Sequence, residues 1–137
     1  MSPRVLIVCT GNSARSQLAE GLLRHDGGER VEVFSAGTHP WIVSPYAIEA
    51  MAEVGIDISH HQSKSVYELE SEAFDYVITV CDSARAECPV FPGVREQIHW
   101  SIEDPSFVPA DERLEAFRKT RDELRERLRG FLTGLPE

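Results

Sequence analysis

Three features of the sequence predict an α/β domain on a parallel sheet. One apolar run, Val5-Leu6-Ile7-Val8, stops at Cys9, and a second strand-like segment, residues 74–80, stops at Cys81. Segments of helical period lie between and after them. An unbroken run such as the first suits a strand buried on both faces. Strands that alternate with helices imply a parallel sheet with helices on both faces. With 137 residues the chain is expected to form one domain, 1–137, long enough to bury a core.

The elements follow in order. Residues 4–8 are the first strand. Residues 16–26 read as a helix with Leu18, Ala19, Leu22 and Leu23 on one face, stopped by Gly27-Gly28. Residues 31–36 alternate and reach Gly37, a second strand. Ser44-Pro45 starts a helix with proline at its first position. Its apolar residues Ala47, Ile48, Met51 and Val54 keep helical spacing up to Gly55. A polar loop, 57–65, and a short helical piece, 66–70, lead to the strand at 74–80; residues 97–100 form a short last strand. From Asp111 onward Leu114, Phe117, Leu124, Leu128 and Phe131 mark a long amphipathic helix, with Glu115–Lys119 and Glu123–Arg127 pairs on its solvent side.

Composition narrows the function classes. No apolar run approaches the ~20 residues of a membrane span, and no signal peptide precedes the first strand, so a cytoplasmic protein is expected. A formal charge of -9 argues against nucleic acid and anionic membranes as partners. An anionic substrate would have to be captured by a local site. The three cysteines are an odd number, suited to catalysis or redox chemistry rather than to a disulfide framework.

The loop after the first strand, Cys9-Thr10-Gly11-Asn12-Ser13-Ala14-Arg15-Ser16, has the makeup of an oxyanion site. Gly11 and Asn12 adopt positive φ readily and let it curl. A curled loop that enters a helix turns successive N–H groups inward as an anion nest, aided by the helix dipole. Arg15 adds a planar fork. Cys9 at the lip is expected to have its thiol pulled from about 8.5 into the range of roughly 3.5–7.5, with Ser16 able to donate to the thiolate.

Cys81 and Cys88 bracket Asp82-Ser83-Ala84-Arg85-Ala86-Glu87, a helix-competent run with a capping residue at its start. In a helix the pair would be ~10.5 Å apart along the axis, whereas a disulfide needs Cα atoms within about 7 Å. The pair can therefore bond only if the segment unwinds. Pro89, Pro92 and Gly93 are breakers that keep the region loosely held. The alternative is that one or both cysteines only pack.

The C-x5-R-S stretch from Cys9 to Ser16 resembles the signature of the low-molecular-weight tyrosine phosphatase fold. Its wording, with Gln17 following, is closer to that of arsenate reductases on that fold. The resemblance spans nearly the whole chain. It implies, with right-handed crossovers, four strands in the order 2-1-3-4, with the site at the carboxyl ends of the central strands. In thioredoxin-coupled arsenate reductases a nucleophile and a cysteine pair of this spacing carry the reaction, and Cys9, Cys81 and Cys88 match all three. The resemblance thus implies arsenate in the nest of Thr10, Gly11, Asn12, Ser13, Ala14, Arg15 and Ser16. A Cys9–Cys81 and then a Cys81–Cys88 disulfide would form, with thioredoxin as electron donor and no tightly bound cofactor.

Asp104, before Pro105 in the loop after the last strand, looks like the family's general acid, with Glu103 as its neighbour and rival. Many such reductases carry a further cysteine where this chain has Ala14. In some relatives the segment matching His60-His61-Gln62-Ser63-Lys64 holds a potassium ion through a carboxylate. Here Lys64 stands at that position, and its ammonium is expected to replace the ion near Asn12 and Ser35. The adjacent histidines diverge and lack further ligands, so no metal is expected. A monomer is expected. The alternative function is a protein tyrosine or small-molecule phosphatase using Cys9, Arg15 and Asp104. Against it, Ser106-Phe107 stands where such phosphatases place an aromatic pair after Asp-Pro. A third reading is a redox-sensing or anion-binding module without catalysis.

Overall fold

In the computed structural model, which describes residues 2–136, four strands form one parallel sheet. They are β1 (Arg4–Cys9), β2 (Glu32–Gly37), β3 (Tyr76–Thr79) and β4 (Glu96–His99), in the order β2-β1-β3-β4. Val5, Leu6, Ile7 and Val8 are 0% exposed, as a central strand covered on both faces requires. Helix α1 (Arg15–Gly27) packs on β1, β2 and the long α4 (Arg113–Gly134); α2 (Pro45–Ala52) packs on α4, and the short α3 (Asp82–Glu87) on β1 and β3. The fold class and strand order are those the sequence implies.

Register places the chemistry. Cys9 lies opposite Gly37 and Val8 opposite Thr79, so the chain leaves β3 beside the end of β1 and reaches Cys81 two residues later. The expected strand at 74–80 is shorter than that segment. Val80 lies past the strand end but still donates to Val8 O at 3.0 Å, whereas Phe74 is buried outside the ladder, its ring packed edge-on against Phe34 and Phe91, 5.5 and 5.4 Å between centroids. Burial, not strand pairing, set that pattern. Helix α1 starts one residue early, at Arg15, and its N-cap Ala14 offers no side-chain acceptor. α2 ends at Ala52, and the chain turns at Gly55 with φ 78°. α4 begins at Arg113, after a single 3-10 turn, and buries Phe117, Leu124, Leu128 and Leu132 on one face. Of the expected surface pairs Glu123–Arg127 forms at 3.4 Å, whereas Glu115 meets Arg118 at 3.3 Å instead of Lys119. Among the described residues no helix is long and apolar enough to cross a membrane.

α1 is tied to α4 by a forked pair. Arg125 donates from Nη2 to Asp26 Oδ1 at 2.7 Å and from Nε to Oδ2 at 2.9 Å. These bonds hold the Asp26 carboxyl below its ordinary value of 3.8. A carboxylate depressed by folding stabilises the protein above its unfolded pKa, and that contribution is lost as pH falls through the folded one. Asp26→Asn is expected to remove about 1–2 kcal/mol near neutral pH. Urea unfolding should show the gap to wild type closing as pH falls below 3.8; a gap constant down into strong acid would contradict this.

Candidate active site

The loop from Cys9 to Arg15 curls around a cavity of about 710 Å³. Asn12 takes φ 48°, the one non-glycine residue at positive φ among those described, whereas Gly11 stays at negative φ. The curl is fixed from outside by the segment after β2. Cys9 O accepts from Thr38 N, Thr10 O from His39 N, Gly11 O from Trp41 N and Ser13 O from Ser44 N, at 2.8–3.1 Å. Asn12 O accepts from Ser63 Oγ at 2.6 Å and Gln17 Nε2 at 3.1 Å. With the carbonyls drawn outward, the N–H groups turn inward. Among the described residues no protein acceptor takes the N–H of Gly11, Ser13 or Ala14. This is a nest for an oxyanion, and the outward ties are long-range contacts that no local pattern in the sequence announces.

Cys9, Thr10, Gly11, Ser13, Ala14, Arg15 and Cys81 line the cavity, with Asp82, Glu103 and Asp104 at its wall. Asn12 and Ser16, expected to touch the oxyanion, lie beneath the floor and are fully buried. Their role is to hold Cys9. Ser16 Oγ lies 2.8 Å from Cys9 Sγ, the Asn12 N–H donates to Sγ at 3.2 Å, and Asn12 Nδ2 donates to Ser16 Oγ at 2.8 Å. The expected fall in the Cys9 pKa is not found. Burial pushes the thiol up, against the Ser16 bonds and the Arg15 charge, which pull it down. The strand end that positions the sulfur also removes it from water, a cost the local sequence does not reveal.

Arg15 donates to Ile102 O at 2.8 Å and approaches Asp104 Oδ2 at 3.4 Å. This docks the acid loop on the nest. Asp104 Oδ1 caps the turn Pro105–Phe107 by accepting from Ser106 N at 2.9 Å. Both carboxylates of the expected acid pair face the cavity, and only Asp104 is oriented by these bonds.

The second thiol is close at hand: Thr10 Oγ1 lies 3.2 Å from Cys81 Sγ. Cys88 is not brought into the cavity. It sits past the far end of α3, its Sγ near Pro89 O, and burial raises its thiol to about 11. The capping expected at the start of α3 is also absent. Cys81 occupies the N-cap with no side-chain bond, and Asp82 turns to His99 instead.

Beneath the loop, Lys64 Nζ donates to Ser35 O at 3.0 Å and Gln62 O at 3.2 Å, and Lys64 N–H to Asn12 Oδ1 at 2.9 Å. Ser35 Oγ accepts from Asn12 Nδ2 at 3.0 Å and donates to the buried Glu20. His61 Nδ1 faces Gln17 Oε1 at 2.9 Å, and the His60 ring stands nearly perpendicular to it. Thr10, Glu20, Gln17 and His99 are the supporting residues whose contacts the sequence does not betray, because each partner lies on another element.

Residues 4–137 match the family described as low molecular weight phosphotyrosine protein phosphatase. An arsenate reductase of Staphylococcus epidermidis is 42% identical over 127 residues, 93% of each chain. A solved arsenate reductase in a phosphate-binding state superposes with a TM-score of 0.82 at 33% identity, covering 99% of this chain and 100% of that one. The thioredoxin-dependent arsenate reductase of Corynebacterium glutamicum gives 0.68 at 33% identity, covering 95% of this chain and 63% of its own.

Proposed function

We propose, for a chain that belongs to the low molecular weight phosphotyrosine protein phosphatase family, that it is a single-domain enzyme reducing arsenate to arsenite. The observation that carries the reading is a second thiol on the same cavity as the nucleophile: Cys81 beside Thr10, across from Cys9. A phosphatase needs one sulfur; a two-electron reduction needs two. The likeness to named arsenate reductases supports the same substrate.

Arsenate seats in the nest against the free N–H groups and Arg15. The Cys9 proton, retained through burial, passes to an oxyanion oxygen, and the thiolate is held by Ser16, Asn12 N–H and Arg15. Cys9 sulfur attacks arsenic, an As–O bond breaks, and Asp104 protonates the leaving oxygen as water. Cys81 sulfur then attacks Cys9 sulfur. The S–As electron pair moves onto arsenic, reducing it from the pentavalent to the trivalent state, and arsenite departs from a Cys9–Cys81 disulfide. Cys88 attacks Cys81, Cys9 leaves as thiolate, and the Cys81–Cys88 disulfide passes to a dithiol reductant. Thioredoxin fits that role, by likeness to the thioredoxin-dependent relative. Lys64 holds the floor of the nest by charge and hydrogen bonds where a bound cation would otherwise serve.

The test is NADPH oxidation with arsenate, thioredoxin and thioredoxin reductase, run in potassium chloride and in choline chloride at equal ionic strength. Arsenate-dependent turnover, equal in both salts, is expected. Hydrolysis of p-nitrophenyl phosphate without any arsenate turnover would make the protein a phosphatase. Turnover that needs potassium would remove the role given to Lys64.

A further inference from the structure

We propose that His99 is a positioning residue for Cys81, acting through Asp82, so that α3 opens from its Cys88 end while Cys81 stays in place. His99 ends β4, opposite Thr79 of β3. Its Nδ1 lies 2.7 Å from the buried Thr79 Oγ1 and its Nε2 lies 2.8 Å from Asp82 Oδ1. A carboxylate only accepts, so Nε2 carries the hydrogen. Ser101 Oγ adds a longer bond to Asp82 Oδ2 at 3.4 Å. Asp82 directly follows Cys81, and Val80, directly before it, donates to Val8 O at 3.0 Å. Cys81 is thereby gripped on both sides by the sheet.

The opposite end of α3 has no such grip. Among the described residues Glu87 meets only His39, at 3.1 Å, and the two side chains are 48% and 68% exposed. Beyond Cys88 come Pro89 and the exposed Val90, and the chain is next anchored at the buried Phe91. An exposed pair of this kind contributes little; Asp82 is exposed as well, at 78%, but its partner His99 is only 17% exposed and is relayed to the buried Thr79 of a strand. The six-residue helix therefore melts from Glu87 backward, and the sulfur that travels is that of Cys88. Cys81 must be fixed for its attack on Cys9, and Cys88 must be mobile for its attack on Cys81, so the asymmetry matches the order of the exchanges.

This rests on the thiol relay proposed above, and the experiment separates the two. In a Cys88→Ser background, where the relay halts at Cys9–Cys81, arsenite release after mixing with arsenate is followed for His99→Ala, His99→Gln and Asp82→Ala. The alanine variants should release arsenite roughly tenfold more slowly, as loss of a bond to a charged group allows. p-Nitrophenyl phosphate hydrolysis, which uses Cys9, Arg15 and Asp104 but neither Cys81 nor Cys88, should stay within about twofold in the His99 variants. The glutamine amide can replace the Nε2 donor and should restore most of the rate, and Glu87→Gln should leave it unchanged. Alanine variants at the parental rate, or a glutamine variant no better than alanine, would overturn the proposal. Hydrogen exchange on the reduced proteins gives an arm independent of arsenate: the Arg85 amide, which donates to Cys81 O at 3.1 Å, should exchange faster in both alanine variants. If the Cys88→Ser parent forms no Cys9–Cys81 bond, the relay falls, and exchange alone decides the anchor. Faster exchange upholds it and unchanged exchange overturns it.

Discussion

Mixed with excess arsenate, the Cys88→Ser protein is expected to release one equivalent of arsenite and stop, holding a Cys9–Cys81 disulfide. The two sulfurs that line the cavity suffice for the reduction, because Cys81 already stands at the nest beside Thr10. What is missing is the exchange that frees Cys9. Cys88, remote in the folded state with its thiol raised to about 11, enters only once its helix unwinds. Steady-state turnover with thioredoxin should therefore fall to background in Cys88→Ser and Cys81→Ser alike. Cys81→Ser should release no arsenite even in the first turnover, and Cys9→Ser should lose p-nitrophenyl phosphate hydrolysis as well. Peptide mapping after an acid quench identifies the bonded pair. A Cys88→Ser protein that keeps turning over would show that another group resolves Cys9.

Gly37→Ala is expected to disable the site without touching a reacting atom. A Cβ at Gly37 would stand 2.5 Å from Thr10 O and 2.9 Å from Asn12 N. Both are backbone atoms of the nest, so no side chain can swing aside. Gly37 is pinned too: it faces Cys9 across the sheet, and its N–H donates to Lys64 O at 2.8 Å. The nest must therefore shift, and displacement of about 1 Å at a site of this kind costs on the order of 100-fold in rate. Overpacking should also remove about 1–3 kcal/mol of stability. The decisive measurement pairs p-nitrophenyl phosphate kinetics with urea unfolding. A folded variant with unimpaired kcat/KM would show that the loop tolerates the displacement.

The nest was legible because its parts are contiguous. Strand, glycine–asparagine turn, arginine and helix start lie in one short stretch, so the residue types announce a nest even though distant ties fix its curl. Sheet order followed from right-handed crossovers and the resemblance. What stayed hidden is carried by partners distant in sequence. The outward ties from the 38–44 segment, the Thr79–His99–Asp82 chain and the depth at which Cys9 is buried all depend on which strand lies beside which. The segment 74–80 misled about strand length because Phe74 is buried by two other rings rather than by strand pairing. Asp82 was read as a cap because a cap is a local device; a strand beyond its reach in sequence took it instead.

The contact between Thr10 and Cys81 joins residues 71 apart in the chain, and this bears on how the protein reaches its native state. Closing so long a loop costs more chain entropy than closing the short one between Cys81 and Cys88. In the unfolded polypeptide, oxidation is therefore biased toward the nearer pair. A Cys81–Cys88 crosslink forbids the helical turn that α3 needs, so a chain oxidised during synthesis would carry the same unwound α3 segment that ends each catalytic cycle. The dithiol reductant that closes each cycle would therefore also return such a chain to the form with a helical α3.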